Sequence, residues 1–149
     1  MPTSAEIVAI ARLFLYVREA PQNKGQRVEA IQRWCGGIPG DSWCAYWATM
    51  VLDIAFAGDA PILRQGNCHA IYLYAKKMHW VTETPATGDL FLFVSDLDHA
   101  HHIGIVTSVD GTVVTGIAGN TSADGKSANG DRVAERPVPA EVFIAYPRG

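Results

Sequence analysis

Apolar residues recur at helical spacing through the first half of the chain and gather into short strand-length runs in the second. Ile7, Ile10, Ala11, Phe14 and Val17 repeat every third or fourth position, which predicts a helix over residues 3–20. Thr3-Ser4-Ala5-Glu6 opens it as a capping box, hydroxyl and carboxylate satisfying amides that lack partners in the first turn, and Pro21 ends the run. A turn at Asn23-Lys24-Gly25 leads to a second helix over 26–35, with Val28, Ile31 and Trp34 on one side. Gly36-Gly37-Ile38-Pro39-Gly40 is a loop by composition. A third helix is expected over roughly 43–56, capped by Asp41 or Ser42 and closed at Gly58. Trp43, Trp47, Met50, Val51 and Ile54 make it apolar over a broad face, so it should be buried. A fourth helix runs from about Cys68 to Met78.

Beyond residue 80 the period changes. Leu90 to Val94 is a short apolar strand after a Gly88-Asp89 turn. His102 to Val109 and Thr112 to Ala118 flank Asp110-Gly111 as a hairpin. Residues 119–131, rich in Gly, Asn, Ser and Asp, read as a loop, and Arg132 to Arg136 and Val142 to Tyr146 as closing strands. Helices first and strands after predict an α+β fold, with N-terminal helices packed on a C-terminal antiparallel sheet. No repeat or linker divides residues 1–149, so a single domain is expected.

Composition narrows the function classes. The chain has 149 residues, 48% apolar and 18% charged, as expected of a folded globular protein. Its net charge of −3 and scattered Lys and Arg give no footprint for nucleic acid. No stretch approaches the roughly 18 apolar residues of a membrane span, and Glu6 and Arg12 interrupt what would be a signal peptide. Synthesis in the cytoplasm, with release or delivery by other machinery, is the expectation. Three cysteines, Cys35, Cys44 and Cys68, are an odd number with no C-x-x-C pair, which argues against a disulfide framework or structural zinc. Cys35 and Cys68 read as packing residues.

Three features carry chemistry. Asp41-Ser42-Trp43-Cys44-Ala45-Tyr46-Trp47 places Cys44 in the first turn of a helix, where the partial positive charge favours thiolate. His101-His102-Ile103-Gly104-Ile105-Val106 places a histidine at the opening of an apolar strand, and Gly119-Asn120-Thr121 follows the next strand. Each alone has a plain structural explanation: an inert buried thiol, a sheet histidine, a Gly-Asn turn. Together they form an ordered Cys, His, Asn set, in which a thiolate needs a base and the base needs a third group to fix its tautomer.

That layout is the one papain-like enzymes use, and the motifs resemble the CHAP family of cysteine, histidine-dependent amidohydrolases and peptidases. Trp43-Cys44-Ala45, Gly88-Asp89-Leu90, His102-Ile103-Gly104-Ile105 and Gly119-Asn120 match the family's segments in order, and Asn120 to Gly125 resembles a loop found there. Arg18-Glu19 with Asn23 and Gly25 resembles the lead-in of phage-type members. The resemblance implies a papain-like fold and cleavage of an amide bond in bacterial peptidoglycan. The bond is either between muramic acid and the stem peptide or within the peptide. It implies Cys44 as nucleophile, His102 as base and Asn120 as the group holding the imidazole. The Cys44 amide is expected as an oxyanion donor, with no metal and no organic cofactor. Trp43, Tyr46, Asp41 and His101 are the candidate substrate-binding residues. The expected partner is peptidoglycan, in a monomeric enzyme that works with a holin, as phage endolysins do, or with an immunity protein, as secreted effectors do.

His101 competes with His102 for the base. Alternation puts His102 on one face with Gly104 and Val106. A three-residue hairpin loop, Val109-Asp110-Gly111 with Gly111 left-handed, would pair His102 with Ala118 and set Asn120 diagonally on that face, so an odd-length loop is predicted. The small residues Gly104, Gly116 and Ala118 would leave room there for the Cys44 helix. Asp96, Asp98 and His99 carry ligand-type groups but read as a solvated loop. Three rival readings remain: a deamidase or isopeptidase acting on protein, a silent wall-binding module, and a metal hydrolase built on the His99–His102 cluster.

Overall fold

The computed structural model describes residues 1–20, 22–121 and 130–149. Among these, four helices precede six strands: α1 (Ser4–Arg12), α2 (Gln26–Trp34), α3 (Cys44–Ala55), α4 (Cys68–Lys77), β1 (Val81–Thr82), β2 (Leu90–Val94), β3 (Ala100–Asp110), β4 (Val113–Thr121), β5 (Arg132–Pro137) and β6 (Val142–Ile144). The strands form one antiparallel sheet in the order β1-β6-β2-β3-β4-β5. The helices pack on it in an α+β, papain-like arrangement. No described helix is long and apolar enough to cross a membrane.

The capping box forms as expected: the Glu6 amide donates to Thr3 Oγ1 at 3.2 Å and the Thr3 amide to Glu6 Oε2 at 2.8 Å. The helix it opens is shorter than predicted and stops at Arg12. Residues 13–17 tighten into turns with bonds three residues back, Leu13 to Ile10 and Phe14 to Ala11 among them. The backbone then extends to pair beside β5, with the Glu19 amide donating to Asp131 O and the Val133 amide to Val17 O. Sheet pairing across the chain ends the helix well before Pro21, which lies outside the described residues. Of the apolar side of α2, Val28 and Ile31 are buried while Trp34 is 48% exposed.

Both faces of the sheet are covered, which explains the unbroken apolar run of β2. Leu90, Leu92, Ile103, Ile105 and Ile117 face α3 and its Trp43 and Trp47. Phe91, Val106, Val114, Ala118 and Phe143 form a second cluster, with Val138 and Ala140 packed against it. Room left by Gly104 and Gly116 is occupied by the Phe91 ring, not by the Cys44 helix as expected. A Cβ on Gly104 would lie 2.3 Å from Phe91 and 2.5 Å from the Ile117 carbonyl oxygen. It is Gly119 that meets α3, since a Cβ there would sit 2.8 Å from both Trp43 and Trp47. Overpacking a filled core costs about 1–3 kcal/mol. Gly104→Ala should therefore lower Tm by several degrees in thermal denaturation, and an unchanged Tm would show that the ring has space to move.

The hairpin differs from the prediction. Asp110 pairs with Val113, so the loop is the two residues Gly111-Thr112, with Gly111 left-handed at φ +59°. The extra residue sits inside β3 as a bulge at Thr107, between the pairs Val106–Gly116 and Ser108–Thr115. Its hydroxyl donates to Thr115 O at 3.2 Å, so the bulge keeps its polar group satisfied. Strand β4 also continues to Thr121, taking in Gly119 and Asn120 from the expected loop. The rest of that loop call, residues 122–129, lies outside the described residues.

Candidate active site

The start of α3 is held by a polar brace. Helix α3 has Trp43 at its N-cap and no side-chain cap bond, contrary to the expected cap from Asp41 or Ser42. Asp41 is engaged elsewhere: its carboxylate accepts the Tyr46 hydroxyl at 2.8 Å and the Ile38 amide at 3.2 Å. The Tyr46 ring lies between two glycines, where a Cβ on Gly37 or Gly66 would come within 2.5 Å and 2.3 Å of it. Burial, reinforced by Asp41, pushes the Tyr46 phenol up to about 12. Buried Gln32 donates to Asn23 O and Asp41 O, both at 2.9 Å, tying α2 to the loop before Cys44. The Trp43 indole donates to Glu19 Oε1 at 3.4 Å, and Glu19 Oε2 accepts the Asn23 amide at 2.6 Å.

This geometry corrects part of the substrate-binding expectation. Trp43 is wholly enclosed, so its ring anchors the helix and presents no surface to a substrate. Asp41 and Tyr46 are bonded to each other in the same brace.

Cys44 is the first residue of α3 and is 3% exposed. Its Sγ lies 3.5 Å from the Sγ of Cys68, which is the first residue of α4. The thiol is held well below the ordinary thiol range, chiefly by the hydrogen bond from Cys68. Burial opposes the shift, and the His102 ring and the Ile103 amide support it. Magnitudes explain the outcome. A hydrogen bond to a charged group contributes about 1.5–3 kcal/mol, and a helix terminus about 0.3–1 kcal/mol. Several donors around one sulfur outweigh the dipole alone. The Cys68 thiol moves strongly the other way, because a thiolate neighbour and burial both hold its proton in place.

His102 is fully buried, and among the described residues neither ring nitrogen has a hydrogen-bond partner. Its ring packs 4.9 Å from Phe93 and 6.1 Å from Phe91. A second irregularity places it: β2 and β3 pair Phe93 with His102 and Val94 with Ala100, so His101 is skipped and its side chain is exposed. Of the two histidines, it is His102 that helps to lower the Cys44 thiol. Counting on from the pair Ile105–Ile117 brings His102 level with Asn120. The Asn120 amide nevertheless donates to Ser42 Oγ at 2.9 Å and not to the imidazole. Asn120 adopts φ +52°, a left-handed conformation that asparagine tolerates better than most residues. Its bond ties the end of β4 to Ser42, two residues before Cys44.

Residues 34–120, more than half of the chain, match the CHAP domain. The chain belongs to the CHAP family. CHAP domains are in general amidase- or peptidase-type hydrolases associated with peptidoglycan. A comparison with curated proteins returned no match. The matched segment takes in Cys44, His102 and Asn120, so the family's core and the polar assembly described above coincide.

Two neighbours of Cys44 make contacts that the sequence reading did not find. From the sequence Ser42 reads as a cap or as a residue near the oxyanion site, and Cys68 as packing. The signal for Cys68 was present: Asn67 caps α4 by accepting the Ala70 amide at 3.0 Å, so Cys68 opens a helix just as Cys44 does. Asp98, set aside as a loop residue, accepts the Tyr72 hydroxyl at 2.6 Å and pairs with Lys76 at 2.5 Å, fastening α4 to the turn before β3. Among the described residues, no group of three or more His, Cys, Asp or Glu side chains is arranged to hold a metal ion.

Proposed function

We propose that this CHAP domain hydrolyses an amide bond of bacterial peptidoglycan by covalent catalysis at Cys44. The observation that carries the reading is a helix-initial thiol, surrounded by donors that favour thiolate, with the His102 ring beside it. The Cys44 thiolate attacks the amide carbonyl, forming a C–S bond. His102 supplies a proton to the departing amine as the C–N bond breaks, leaving a thioester. His102 then takes a proton from water as its oxygen attacks the thioester; the C–S bond breaks, the Cys44 thiolate and the protonated His102 are restored, and the carboxylic acid formed gives its proton to the released amine. The Cys44 backbone amide is a donor for the oxyanion. Asn120 and Ser42 together position the end of β4 against the nucleophile loop. His101 is exposed and lines a cleft of about 210 Å³ with Phe93 and Glu141. The same chemistry would serve a phage endolysin or a delivered antibacterial effector.

The test is digestion of purified peptidoglycan followed by mass spectrometry of the released fragments. One portion of enzyme is alkylated with iodoacetamide and another is treated with chelator. Fragments with a new amine and a new carboxylate are expected from untreated and chelated enzyme, and none from alkylated enzyme. Their masses name the bond. Absence of fragments from untreated enzyme overturns the proposal.

A further inference from the structure

We infer that Cys68 is a positioning residue for Cys44: its S–H donates to the nucleophilic sulfur and stores it as thiolate before substrate arrives. This deepens the proposed function and rests on Cys44 being the nucleophile.

The argument begins with geometry. The two sulfurs are 3.5 Å apart, within hydrogen-bond range for sulfur, and Cys68 is the partner that Cys44 Sγ meets at that range. Both residues open helices, so the N-terminal ends of α3 and α4 converge on one point beside β3. Two helix termini aimed together favour one negative charge there and give no place for a second, because two adjacent thiolates repel. One sulfur therefore carries the charge and the other keeps the proton.

The division of labour follows from what surrounds each sulfur. Cys44 has the His102 ring and the Ile103 amide beside it, whereas Cys68 has burial and the Cys44 charge. Cys44 is thus the thiolate and Cys68 the donor. A donor that holds its proton over the whole working range performs a task His102 is not free to perform. The base must release and recover protons during turnover, so it cannot keep a proton steadily on the sulfur. The Cys68 S–H is not consumed and re-forms the same contact once the thioester is hydrolysed. The first turn of α3 carries no acidic residue to oppose the charge.

The experiment measures the rate of Cys44 alkylation by iodoacetamide against pH, with a phosphine reductant present and the modified residue assigned by peptide mass spectrometry. It compares wild type, Cys68→Ala and Cys68→Ser. Wild type should show a midpoint on the acid side of an ordinary thiol. Cys68→Ala should move that midpoint upward by about one pH unit or more, and Cys68→Ser, which keeps an O–H donor, should recover most of the shift. Should the alanine variant fail to fold, Cys68→Val fills the volume without a donor and takes its place. Superimposable profiles for wild type and the donor-free variant would overturn the inference. So would a serine variant displaced as far as the alanine one, because that pattern reports packing and not donation. The midpoint belongs to the thiol itself, so it stands apart from the peptidoglycan assay. Hydrolysis retained by Cys44→Ala would sink the proposed function whatever the alkylation profile shows.

Discussion

Cys44→Ala should reduce peptidoglycan hydrolysis by about 10⁴-fold or more, to a level set by binding and oxyanion stabilisation alone. The loss is that large because no neighbouring group can replace the sulfur. Cys68 is within reach, but its proton is held tightly by burial and by its role as donor. Cys35 is occupied elsewhere, donating to Tyr46 O at 3.2 Å. The fold should survive, since the change removes one buried sulfur and leaves the brace of Asp41, Tyr46 and Gln32 intact. Initial rates of fragment release, measured beside a thermal melt, check both halves. Residual activity above about one part in a hundred would mean that another residue supplies the nucleophile. For wild type, the sign of the thiol shift sets the acid limb. The reactive thiolate is present above the lowered value, and the rate should fall only as pH drops through it.

Asp89→Ala should destabilise the protein by about 3–5 kcal/mol, because it strands a largely enclosed guanidinium. Asp89 is 1% exposed, and its Oδ1 accepts Arg148 Nη2 at 2.8 Å while its Oδ2 accepts the Ala86 amide at 2.9 Å. Arg148 also donates to Ser4 Oγ at 2.8 Å and to Thr87 O at 2.9 Å, so the C-terminus is clasped to α1 and to the turn before β2. The pair is not a source of net stability. Burial raises the Asp89 carboxyl above its usual range despite Arg148. A raised carboxyl favours the fold below the unfolded value, and that contribution is lost as pH rises through the folded value. At neutral pH the charge therefore costs free energy, yet removing one partner costs more. At about 2–4 °C per kcal/mol, Tm should fall by roughly 6–20 °C. Asp89→Leu combined with Arg148→Met should recover most of the loss. A double variant as unstable as the single one would show that the carboxylate matters for the turn and not for its ion.

Several parts of this protein were legible residue by residue. The Thr3–Glu6 capping box, the four helices and the β2 and β3 strands follow from side chains a few positions apart, so local pattern suffices to find them. The two-residue strand β1 carries too little pattern to be read, and it forms because Val81 and Thr82 find Ile144 and Phe143 across the sheet. The overlong first helix failed for the same reason in reverse. Its apolar period continues past Arg12, but pairing of residues 17–19 with β5 outcompetes helical propensity. Gly88-Asp89 was recognisable as a motif, whereas its partner Arg148 lies 59 positions away and carries no local mark.

By itself the sequence determined the order of helices and strands, the placing of Cys44 at a helix start, and the choice of residues that make this a CHAP domain. Those properties depend on neighbours within a turn or a strand, where backbone geometry fixes who can interact. Only the tertiary structure decided that the odd residue of the hairpin is a bulge at Thr107, that Asn120 bonds Ser42, that Trp43 and Tyr46 serve the scaffold, and that Cys68 meets Cys44. These contacts join residues as much as 78 positions apart. Which of them meet is set by how whole helices seat on a curved sheet, and that packing is a property of the assembled core, not of any segment within it.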